Sequence, residues 1–78
     1  MPLYFFHVRG GHWPAEAEEG WALDDKSSAV ESATTAARSL IASDILDGIL
    51  DLSARIEVED SEGRPIVTVP FASVVMVP

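Results

Sequence analysis

Two histidines stand five residues apart, His7 and His12, separated by Gly10-Gly11 and followed by Glu16, Glu18 and Glu19. Imidazole ligates metals and titrates near neutral pH, so this stretch is where the chain could do chemistry. A metal centre needs several ligands that converge. If the chain folds back after the glycines, His7, His12 and Glu16 form one cluster, which is the metal-site candidate. It predicts zinc-dependent stabilisation that His7→Ala removes. The competing reading is structural, a histidine hydrogen-bonded at a sheet edge, and it is the commoner use of such a residue.

The other carboxylates come in pairs: Glu18-Glu19, Asp24-Asp25, Glu57/Glu59 and Asp60/Glu62. Acid–base catalysis needs one member of a pair in an apolar pocket that shifts its pKa. Glu57 and Glu59 fall on the wet side of an alternating strand, and Asp60 and Glu62 lie in a turn, so all four read as solvated acids. Asp44, Asp47 and Asp51 do not have calcium-loop spacing. Gly10-Gly11 precedes no helix directly, so it is no phosphate cradle, and no serine stands in a Ser-His pattern. No catalytic residue and no cofactor are therefore expected, and the chain reads as a non-enzyme.

The elements that must position these residues follow from periodicity. Leu3–Arg9 is an aromatic and β-branched strand closed by glycines. Gly10–Glu19 is a loop, and Gly20–Leu23 a short return strand. From Ala29 to Ile45 apolar residues fall at 29, 30, 33, 36, 37, 40, 41 and 45, the spacing of an amphipathic helix. Asp25 competes with a Ser28/Glu31 capping box for its start, and Gly48 supplies its stop. Asp44 falls at the centre of the apolar stripe. A buried acid there needs a partner such as Arg55 or a backbone amide. The favoured alternative is that the helix frays and Asp44 reaches water. Ile49–Leu52 is expected to tuck under the helix end. Arg55–Glu59 alternates as a strand with one wet face, Asp60–Gly63 is a turn, and Arg64–Val69 returns with Pro65 at its start or on a free edge. The tail from Phe71 is expected to be a short strand or an extended segment pinned by Phe71.

Strand, strand, helix, strand, strand implies a single domain over residues 1–78. Its class is α+β: a small antiparallel sheet with one amphipathic helix on one face. The first and fourth strands are apolar at both alternating sets of positions, so both faces of the sheet expect cover. The tail or another chain must supply it, and the reading taken is another chain, as a homodimer or a docked protein. Interface candidates are Trp13, Trp21, Tyr4, Phe6 and Phe71. Tryptophan beside proline in a loop is a common interface anchor, though either tryptophan serves equally to plug a small core.

The chain carries thirteen acids against five bases, net −8, and no cysteine. An acidic surface repels phosphate backbones and anionic lipid, which argues against direct nucleic-acid or membrane binding. Disulfides and thiolate metal sites are excluded. There is no secretory leader pattern and no run near the about eighteen apolar residues of a membrane span, so a cytoplasmic location is expected.

Taken together, Tyr4-Phe5-Phe6-His7-Val8-Arg9, Glu18-Glu19-Gly20, Leu23-Asp24-Asp25 before an alanine-rich helix, Ile56–Asp60, Gly63-Arg64 and Val69-Pro70-Phe71 resemble a family of short bacterial proteins of unknown function. The resemblance covers nearly the whole chain and implies no activity, cofactor or site residue. Gly10–Pro14 departs from it, where an aspartate-glycine turn is more typical. A looser likeness is to antitoxin domains whose strand–strand–helix–strand unit masks a basic nuclease. The functional expectation is a non-catalytic protein-interaction module, with antitoxin-like masking and a His7/His12 metal or enzymatic site as alternatives.

Overall fold

Asp25 starts the helix, because its side chain accepts a hydrogen bond from the backbone N–H of Ser28 at 2.9 Å. The computed structural model describes residues 2–12 and 18–76. Its elements are strands β1 (Leu3–Arg9) and β2 (Glu18–Ala22), helix α1 (Lys26–Leu46), strands β3 (Arg55–Asp60) and β4 (Pro65–Pro70), and a 3-10 turn at Phe71–Ser73. The strands form one antiparallel sheet in the order β2-β1-β3-β4, with the helix packed against it. This is the α+β architecture the periodicities imply.

The core lies between helix and sheet. Ala29, Ala33 and Ala37 are fully buried, and their small side chains let the helix axis lie close to the strands. Alternation along β1 turns Tyr4, Phe6 and Val8 inward, while β3 contributes Ile56 and Val58 and β4 contributes Val69. Phe71 closes one end. Its amide donates to the Ala54 carbonyl at 3.0 Å, and its ring is wholly buried.

Three expectations are corrected here. The tail is pinned by the buried Phe71 but opens with a 3-10 turn at Phe71–Ser73 and not a strand, and Arg38 Nε of the helix donates to the Val74 carbonyl at 2.9 Å. The helix does not fray before Asp44; it runs to Leu46 and Asp44 is buried. The connector after Gly48 does not tuck under the helix, since Ile49 and Leu50 are exposed and only Leu52 packs on the core. Gly48, at φ +80°, adopts left-handed backbone geometry and turns the chain outward there.

Candidate functional site

The far end of α1 gathers the residues with unusual surroundings. The buried stripe of the helix runs Ala29, Ala33, Ala37, Ile41 and then Asp44, so its last position holds a carboxylate that is only 3% exposed. The partner is neither Arg55 nor water. His12 reaches it from the loop after β1, with Nε2 2.9 Å from Asp44 Oδ2. A carboxylate accepts, so the neutral ring carries its proton on Nε2, and the charged ring donates from the same atom. This bond raises the His12 pKa above the usual histidine value, and the charges of Asp44 and Asp51 add to the effect against some desolvation.

Asp51 fixes the same loop from the other side. Its carboxylate accepts from the Ser53 hydroxyl at 2.6 Å and the Ser53 amide at 3.0 Å. The two Ser53 bonds, hydroxyl first, hold its pKa below the usual carboxylate value, assisted by the charge and amide of His12. Gly11 passes against it at φ +60°. The positive φ favours glycine, and a β-carbon there would stand 2.9 Å from Asp51 Oδ2, so that carboxylate would have to shift. Residues 10–12, the helix end and residues 51–54 are thus one interlocked unit.

Beside this unit the surface is apolar. Leu46 is 88% exposed and Leu50 70%, with Ile45 and Ile49 also exposed. Asp47 caps the helix, and the Ile49 amide donates back to the Asp44 carbonyl at 2.8 Å, so the outward segment is tied to the helix. Residues 39–54 contain Asp44, Asp47 and Asp51 and no lysine or arginine.

The open face of the sheet is built differently. His7 Nε2 lies 2.7 Å from Glu59 Oε1, close enough for an ion pair when the ring is protonated but not aligned as a hydrogen bond. Arg9 and Arg55 both approach the Glu57 carboxylate, with Nε–O distances of 3.3 and 3.2 Å. Antiparallel register sets the cross-strand contacts, because His7 faces Glu57 and Arg9 faces Arg55, while Arg55 meets Glu57 two residues along the same strand. Phe5 lies over Gly20, where a β-carbon would come within 3.0 Å of its ring. This face, which the sequence expects to be covered, thus carries Leu3 and Phe5 beside a centre of charged side chains that pair with one another.

The two histidines engage different carboxylates on different elements, and among the described residues no three His, Asp or Glu side chains are grouped to hold a metal. Glu16 and Trp13 lie outside the described residues. Of the aromatic interface candidates, Tyr4, Phe6 and Phe71 are corrected to interior positions, because the even-numbered side chains of β1 and the Phe71 turn face the helix. Trp21 is 44% exposed. It pairs with Tyr4 in register and stacks on Phe6, ring centroids 6.0 Å apart and planes at 21°. The helix lies over β3 and β4, so Trp21 covers the β1 aromatics where the helix does not.

Sequence reasoning missed the exposed helix end. A signal was present: Leu46 lies two residues past Asp44, about 200° around the helix from the buried stripe.

A family model described as a domain of unknown function (DUF6894) matches residues 3–72. No curated protein and no solved structure matches the chain.

Proposed function

The chain belongs to the DUF6894 family, and from its geometry we propose that it is a non-catalytic protein-interaction module. One observation carries the reading: four large apolar side chains, Ile45, Leu46, Ile49 and Leu50, are exposed within six consecutive residues. Exposed apolar side chains concentrated this way mark interaction surfaces in folded proteins. The His12–Asp44 bond ties the helix end beneath them to the loop after β1, and the Ile49 amide donates back to the Asp44 carbonyl. The module works by docking another protein or a second copy of itself. An antitoxin-like role is the narrower form of this reading, with a basic nuclease as the protein docked. Among the described residues no helix is long and apolar enough to cross a membrane.

The test is capture of the tagged chain from its host's lysate, with mass spectrometry of what is retained and light scattering of the purified protein. A stoichiometric bound protein or a dimer is the expected result. A monomer that retains nothing contradicts the proposal.

A further inference from the structure

This inference rests on the interaction-module reading and identifies its occupant. We propose that the end of α1 docks a basic amphipathic segment of a partner protein rather than a second copy of the chain. A helix C-terminus carries the negative end of the helix dipole, which proteins usually balance with lysine, arginine or histidine in the last turn. Here the last turn has no basic residue, and Asp47 stands at its cap. Asp51, five residues past Leu46, has its pKa held low and stays ionised. His12 donates to the buried Asp44 and its charge also acts on Asp51, but one histidine stands against Asp44, Asp47, Asp51 and the helix end. The exposed apolar side chains of residues 45–50 are therefore interleaved with negative charge, from two aspartates and a helix end.

A partner that covers this surface must bring apolar side chains bordered by lysine or arginine. A second copy brings the opposite of what is needed. A two-fold contact places the same patch against itself, so Asp47, Asp51 and the helix end of one copy would meet their equivalents, between chains of net charge −8. Anionic lipid is disfavoured by the same charges.

The experiment titrates the full chain against a labelled helical peptide with leucines at three-and-four spacing bordered by lysines. The comparison peptide has the same leucines and glutamate in place of lysine, and anionic vesicles form a third arm. The basic peptide is expected to bind about tenfold more tightly than the acidic one, and more tightly at low salt. Leu46→Ser/Leu50→Ser is expected to weaken it by about tenfold. Both side chains are largely exposed, and an unchanged circular dichroism melt shows that the variant is folded. Asp47→Asn should reduce the salt dependence. Equal binding of the two peptides, binding that survives the double serine variant, or preference for anionic vesicles overturns the proposal. So does a dimer of the native chain that the double variant dissociates. Parallel capture from lysate separates this inference from the reading beneath it. A protein retained equally by native and variant chains leaves an interaction module with a different surface, whereas a chain that stays monomeric and retains nothing removes the module itself.

Discussion

The open face of the sheet and the far end of the helix both mix charged with apolar residues, yet they handle charge in opposite ways. On the open face Glu57 meets Arg9 and Arg55, and Glu59 meets His7. Oppositely charged groups come from the same and the neighbouring strand of this chain, so that surface supplies its own counter-charges. At the helix end Asp44 is satisfied by His12 and Asp51 by Ser53, while Asp47 stands at the cap among exposed isoleucines and leucines, with no lysine or arginine in residues 39–54. Charge alone does not mark a binding surface. What separates the regions is whether the chain supplies its own complement.

The comparison can be broken at its base. Phe71 closes the core beneath both regions, and Phe71→Ala should destabilise the fold by about 3–5 kcal/mol in a denaturant melt. A smaller loss would mean that the core end collapses around the gap and that Phe71 is less central than its burial implies.

His12→Ala sharpens the comparison at the helix end. It strips the partner from a buried carboxylate and should lower the melting midpoint, by less than loss of a fully buried pair because the His12 ring is exposed. Adding Asp44→Ala should restore most of that loss, since an alanine continues the stripe of Ala29, Ala33 and Ala37. Two single losses that simply add would show that the pair is not coupled.

The same pair predicts a pH dependence. Its folded pKa is raised above the unfolded value of about 6.5. The stabilisation it contributes is therefore complete below that pH and fades as pH rises through the folded value. Proton NMR of the His12 ring should show the raised midpoint, and Asp44→Ala should return it toward the unfolded value. Asp51 and Asp60 run the other way: their pKa values are lowered, so their contribution is present above about pH 4 and lost as acid protonates them in the fold.

On the open face, Glu57→Ala removes the carboxylate shared by two arginines, and only about 0–1 kcal/mol should follow, diminishing with added salt. The smallest effect belongs to Leu46→Ser, which should leave stability within about 0.5 kcal/mol in the same melts. A markedly destabilised Leu46→Ser would place that side chain in the core and remove the contrast.

Much of the fold was legible because its signals are local. The apolar spacing from Ala29 onward, the alternation of Arg55–Glu59 and the glycine stops each lie within one window of sequence. Asp25 and Ser28 competed for the cap on equal local terms, and the side-chain bond from Asp25 to the Ser28 amide decides for Asp25. Asp44 was legible as an anomaly but its partner was not, because His12 lies 32 residues away across a loop and two elements. The cross-strand charge pairs of the open face were hidden for the same reason: Glu57 and Glu59 face outward by alternation, but their contacts with Arg9 and His7 depend on the register of β1 against β3. Ile49 and Leu50 misled through composition, since apolar residues after a helix read as buried, whereas the turn at Gly48 carries them outward.

The most direct test of the contrast is a nitrogen–proton correlation spectrum of the labelled chain, recorded as the basic leucine–lysine peptide is added. The account predicts shifts concentrated at residues 44–51 and His12, with Arg9 and residues 55–59 unmoved. Shifts centred on the open face, or spread evenly over the acidic surface, would contradict it.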